Sequence, residues 1–100
     1  MKKEKEIFKY SDPVKVQKLA DKYFGIHIPV YLSTRPEKKY MIYHPITGRR
    51  IHFGQMGYED FTKHKNPARR ENYLTRASNI KGNWKKDKFS PNNLSIHILW

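Results

Sequence analysis

His52, Asp60 and His64 are the side chains in this sequence whose types could act on a bond. Asp60 and His64 stand at i and i+4, which puts them on one face of any helix formed there. A carboxylate and two imidazoles can bind a divalent metal, or serve as general acid and base on a phosphodiester, as in metal-dependent nucleases. Such sites call for further carboxylates. The 9 acidic residues of the chain are scattered, and there is neither a zinc ligand set nor a phosphate-cradling glycine loop. The alternative is that Asp60 and Thr62 bond backbone groups while His52 and His64 pack half-buried beside a sheet. We prefer it, and assign no catalytic residue, metal or cofactor from the sequence. His27, His44 and His97 show no ligand spacing.

A second set of residues suits binding. Arg69, Tyr73 and Arg76 recur at i, i+4 and i+7 with Arg70 beside them, so on a helix their side chains project together. Guanidinium forks match phosphate oxygens two at a time, and a tyrosine can stack on a base or donate to a phosphate. Arg49, Arg50, Lys63 and Lys65 would extend that surface, and the run Lys81-Gly82-Asn83-Trp84-Lys85-Lys86-Asp87-Lys88 would add Lys81, Lys85 and Lys86. For any single arginine the alternative is a solvated helix face with Glu71 mixed in. Trp84 could be a stacking platform worth roughly 1–3 kcal/mol per base, or could fold back as a plug for the core, the reading we prefer.

Composition favours binding over solvation. Lysine and arginine number 21 against 9 acidic residues in 100, a formal charge of +12, and 14% of residues are aromatic, which separates the chain from a disordered basic tail. A field of that sign attracts polyanions, nucleic acid (DNA or RNA) first and anionic lipid second. One modest core is the limit at this length. With no cysteine, packing alone must stabilise it. No apolar run approaches the roughly 18–20 residues that span a bilayer, and no membrane partner is expected. Met1-Lys2-Lys3-Glu4-Lys5-Glu6 leads into nothing suited to a secretory signal, so a chain that is not exported is expected. Seven tyrosines and five phenylalanines exceed what a core this small can hide, which leaves rings for contact with another protein or for covering core edges.

The elements that must position these residues can be read from local signals. Residues 1–10, charged and aperiodic, read as a flexible basic arm, with a single domain over 11–100. Ser11-Asp12-Pro13 is a cap followed by proline at the first helical position; Val16, Leu19, Ala20 and Tyr23 form one face, and Gly25 ends a helix at about 24. Ile26 to Leu32 alternates as a strand, which Pro29 pushes to a sheet edge. Tyr40 to His44 and Arg49 to Phe53 form a hairpin around Pro45-Ile46-Thr47-Gly48. Tyr58 to Lys65 spans about two helical turns. Asn66-Pro67 repeats the cap-proline signal for a helix to about Ser78, 79–89 reads as a loop, and Ser90-Pro91 opens a last element read as helix. The class is α+β: a small antiparallel sheet of about three strands packed with three to four short helices.

Several of these stretches together carry a resemblance. Ser11-Asp12-Pro13 through Leu19-Ala20, Tyr40-Met41, Ile51-His52-Phe53-Gly54-Gln55, Asp60-Phe61-Thr62-Lys63-His64-Lys65, Arg69-Arg70, Tyr73, Ser90-Pro91 and Leu99-Trp100 resemble a family of small basic proteins encoded by giant DNA viruses related to mimiviruses and chloroviruses. Where that family often has Asp after His-Lys this chain has Asn66, and both residues cap helices. The family is of uncharacterised function, so the resemblance implies origin. It points to a viral protein at work in the infected host cell, in cytoplasm or viral factory, or carried in the virion. The expectation is a viral protein that binds the phosphate backbone of nucleic acid with little sequence preference. Its alternatives are a structural virion protein bound to another viral protein, and a small metal-dependent nuclease-like enzyme.

Overall fold

The computed structural model describes residues 2–100. Met1, the first residue of the expected arm, lies outside them. Residues 2–10 are not an arm: Lys2–Tyr10 is a helix, α1. Lysine and glutamate are good helix formers, and one apolar residue anchors the segment, since Ile7 is buried in the core cluster. The Lys3 ammonium adds a tether, donating to the main-chain oxygens of Ser33 and Arg35 at 2.7 Å each. The radius of gyration is 12.9 Å, close to that of a compact 100-residue chain, about 13 Å.

α2 covers Pro13–Phe24. Asp12 caps it by accepting from the Lys15 amide, and Gly25 closes it in the left-handed region at φ 75°. The strand expected over Ile26 to Leu32 shortens to β1, Tyr31–Leu32. Its lost length is held by a side chain instead of a ladder: the Gln17 amide donates to Ile28 O at 3.0 Å and accepts from Val30 N at 2.8 Å, bracketing Pro29, which has no N–H to offer.

β2 (Lys38–Tyr43) and β3 (Arg50–Gln55) form the expected hairpin, with Tyr40 opposite Phe53 and Ile42 opposite Ile51. The sheet is antiparallel in the order β1-β2-β3. Central β2 is buried on both faces, from Lys39 to Ile42, whereas β3 alternates.

The two-turn helix expected from Tyr58 is one turn, α3 (Phe61–His64), capped by Asp60 and closed by Lys65 at φ 55°. α4 (Pro67–Ser78) starts where the cap-proline signal put it, with the Asn66 side chain accepting from Ala68 N and Arg69 N. The 79–89 segment contains a 3-10 turn at Trp84–Lys86, pinned by the buried Asn93, whose amide donates to the main-chain oxygens of Trp84, Lys85 and Asp87. α5 (Pro91–Leu94) is capped by Ser90 and runs directly into a π-helical turn, Ser95–Leu99. Leu94, Ile98 and Leu99 of this last segment join Phe53, Ile42 and Val16 in one core between sheet and helices. The fold is α+β, with five α-helices among the described residues where three to four short helices were expected.

Candidate functional site

Arg69, Tyr73 and Arg76 do share one side of α4, and that side is the wall of a cleft of about 590 Å³. The helix register begins at Pro67, so Asn66-Pro67 fixes which residues face inward. The opposite wall is the end of the hairpin, Lys38 of β2 with Gly54 and Gln55 of β3, where Lys38 pairs with Gln55. Ser95, Leu99 and Trp100 form the floor, with Tyr58 and Glu59 on the rim.

The floor depends on the π turn. Trp100 N donates to Ser95 O at 3.1 Å, one residue further than an α-helical bond, and the extra residue re-aims the end of the chain. π turns are rare and are found frequently at functional sites. Here the turn brings the Trp100 indole flat against Tyr73, centroids 4.2 Å apart and planes 5° off parallel. Burial pushes the Tyr73 phenol pKa up, against a hydrogen bond with the Ser95 side chain and the nearby Arg76 charge, which act in the other direction.

Gly54 is where sheet and floor come closest. At φ +82° a Cβ would lie 2.8 Å from Leu99 Cδ1 and 3.1 Å from Lys39 Cβ. Only glycine lets the strand pass here.

Three cations face one carboxylate across the cleft. Arg69 Nη1 meets Glu59 Oε1 at 3.2 Å, but both side chains are exposed by more than a third, so solvent screens the pair and it is worth little. Among the described residues Lys38 and Arg76 have no ion-pair partner. The arrangement presents two free cations and one lightly held one above an aromatic floor. With the exposed Tyr58 ring on its rim, it can hold an anion that also carries a flat apolar group.

The other expected contacts lie elsewhere. Arg70 turns away from the cleft: Nε donates to Trp100 O at 2.6 Å and the guanidinium lies 5.4 Å from the Phe61 ring centre. Arg49 and Arg50 are exposed at the hairpin end of β3, about 16 Å from Gln55 at the usual strand rise. Lys63 and Lys65 border a small cavity with Phe8 and Asp12. Lys81, Lys85 and Lys86 are exposed beyond the end of α4, with Lys85 over the Trp84 ring. Trp84 itself is half-buried and donates through Nε1 to Ile80 O at 2.7 Å, which ties it to its own loop.

The profile of a protein family described as a family of unknown function (DUF5754) matches residues 28–77. The chain belongs to that family. No curated protein and no solved structure matches it. The DUF5754 segment contains the three strands, Lys38 and the face of α4 with Arg69, Tyr73 and Arg76, while the stacked Trp100 lies outside it.

The catalytic candidates also fall within the DUF5754 segment, and each is engaged separately. Asp60 is fully buried and pairs with Lys39 Nζ at 3.0 Å, where the lysine side chain is only 3% exposed. Its other oxygen accepts from Thr62 N at 3.1 Å and from the Thr62 hydroxyl. Thr62 Oγ1 lies 3.2 Å from Ser11 Oγ, which accepts from Tyr40 OH at 2.7 Å, and Asp60 N donates to Tyr10 O at 2.9 Å. This network stitches α1, β2 and α3 together. Desolvation lowers the Lys39 pKa despite the Asp60 charge, and burial raises that of Tyr40.

His52 Nδ1 shares a hydrogen bond of 2.6 Å with Ser33 Oγ, and its pKa is lowered by desolvation and by Arg35 and Arg50. His64 Nδ1 accepts from Asn66 N at 2.9 Å, so its proton sits on Nε2, which is buried beside the Trp100 ring with no hydrogen-bond partner among the described residues. Desolvation, and then Arg69, lower its pKa. Among the described residues no three His, Cys, Asp or Glu side chains come together as a metal site.

Sequence reasoning missed Lys38, Lys39 and Trp100. Local signals start the second strand at Tyr40, which leaves Lys38 and Lys39 outside it. Trp100 carries a signal, as the closing aromatic of an apolar run, but nothing local says that Tyr73 lies on it.

Proposed function

We propose that this protein binds nucleic acid through its phosphate backbone with little sequence preference, and that the cleft between α4 and the end of the β2–β3 hairpin is the centre of contact. The observation that carries the reading is the convergence of Lys38, Arg69 and Arg76 on one open cleft, two of them without an ion-pair partner among the described residues, in a chain of formal charge +12. Phosphates are the anions such forks and ammoniums suit best. Cations at Arg49, Arg50, Lys63, Lys65, Lys81, Lys85 and Lys86 spread a weaker field around it and make encounter fast and salt-sensitive. The resemblance to small basic proteins of giant DNA viruses supplies the setting: a viral protein acting on nucleic acid in the infected cell.

The test is a titration of labelled DNA and RNA at several salt concentrations. Log affinity should fall linearly with log salt, with a slope corresponding to roughly four to six neutralised phosphates. Replacing Lys38, Arg69 and Arg76 together by alanine should lower that count by about three, whereas Arg49→Ala with Arg50→Ala should lower it by no more than about two. A folded triple variant that binds as before would refute the reading.

A second reading, a virion component bound to another viral protein, is favoured by exposed apolar side chains at Phe8 (56%), Val14 (66%) and Ile46 (89%). It calls for assembly or protein binding with no nucleic acid present, measurable by sedimentation.

A further inference from the structure

We infer that the cleft takes a single-stranded polynucleotide, one unpaired base lying on Tyr58 and the flanking phosphates held by Lys38, Arg69 and Arg76. The inference rests on the phosphate-binding reading above and adds what that reading leaves open, the strandedness of the ligand. The first argument is shape. About 590 Å³ of concave space suits one nucleotide-sized group. Duplex phosphates lie on the outside of a stiff rod whose bases are stacked away inside, so a duplex can touch the rim but cannot send a base in without unstacking it.

The second argument is the state of the rings. Tyr73 and Trp100 cover each other, and His64 lies against the indole as well, so the floor is already occupied. Tyr58, on the rim, is 69% exposed and meets no other ring among the described residues. A large apolar surface left in water at the mouth of a cationic cleft is a free stacking face, and a groove of cations with an open aromatic is how proteins hold single strands without reading sequence.

The third argument is the polar inventory. Asn72, between Arg69 and Tyr73 on the same wall, brings an amide that both donates and accepts. It can bond the edge of any base, which fits weak preference. A ribose or deoxyribose strand offers the same phosphates and base faces, so DNA and RNA are two sources of one chemistry.

Fluorescence anisotropy on the full chain decides it, with labelled DNA and RNA single strands of about 12 nucleotides and a DNA duplex of the same length, at about 0.15 M salt. A single strand of either kind should bind at least about tenfold tighter than the duplex, and Tyr58→Ala should lose about tenfold on the single strand only. Tyr31→Ala, an exposed ring remote from the cleft, should change neither. Duplex binding as tight as single-strand binding overturns the inference and leaves the phosphate reading standing. So does undiminished single-strand affinity in Tyr58→Ala. Binding to none of the three overturns both.

Discussion

Lys38 and Lys39 are neighbours on one strand and belong to two different regions of the molecule. Lys38 borders the open cleft with Arg69 and Arg76, while Lys39 is buried against Asp60 at 3.0 Å. Side chains alternate across a strand, so the same residue type, one position apart, becomes a cation lining an open cleft in one case and half of a buried pair in the other. The first region keeps charge in water, ready for an anion. In the second, charge is withdrawn from water at the meeting of α1, β2 and α3, where Asp60 accepts from Thr62 and Thr62 is linked through Ser11 to Tyr40.

The sharpest way to break the comparison is to make the same substitution on both sides of it. Lys39→Met leaves the Asp60 carboxylate buried without its counter-charge and should cost about 3–5 kcal/mol of stability. That is a large share of the roughly 5–15 kcal/mol a domain has. Lys38→Met should change stability by no more than about 0.5 kcal/mol and should instead weaken nucleic-acid binding. Urea denaturation of the two variants measures the first quantity, and the anisotropy titration the second. Equal stability losses would mean that Lys38 is structural too.

Gly54 touches both regions, standing between Lys39 and the Leu99 of the cleft floor. Gly54→Ala meets a positive φ and a 2.8 Å contact together, and should cost about 2–4 kcal/mol. Gly57→Ala sharpens the measurement. Gly57 also has positive φ, +93°, but nothing lies within 4 Å of its Cβ position, so it should show the backbone cost alone, about 1–2 kcal/mol. Thermal or urea unfolding of both variants separates close approach from conformation.

The limits of legibility track the same division. Ser11-Asp12-Pro13, Asn66-Pro67 and Ser90-Pro91 each open a helix where expected, because a cap and a proline act on the adjacent backbone. The hairpin is readable for a like reason, the glycine turn between alternating runs. The α4 face is readable because Arg69, Tyr73 and Arg76 need only helical periodicity to come together. The hidden features depend on partners distant in sequence. α1 forms around one buried residue, Ile7, in a run of charges, and β1 is short because Gln17, from another element, takes the backbone of Ile28 and Val30. The burial of Lys39 depends on Asp60, 21 positions on, and the aromatic floor on a π turn that no residue of Ser95–Leu99 announces.

His64 joins the two regions, and gives the smallest predicted effect. Its helix is capped by Asp60, and its ring lies against Trp100. Because Nδ1 accepts from Asn66 N, protonation there would replace an acceptor with a donor facing a donor. Desolvation and Arg69 lower its pKa from the ordinary 6.5, and desolvation with Arg35 and Arg50 does the same at His52. The folded state therefore binds fewer protons than the unfolded state as pH falls below 6.5, and stability should decline from there downward until the lowered folded pKa values are passed. Urea midpoints at successive pH values between neutrality and acid would show the decline. His64→Gln should flatten it in part, leaving the His52 share. A stability that rises on acidification through that window would mean the imidazoles gain a partner on protonation, and that His64 does not join the buried network to the cleft as a neutral ring.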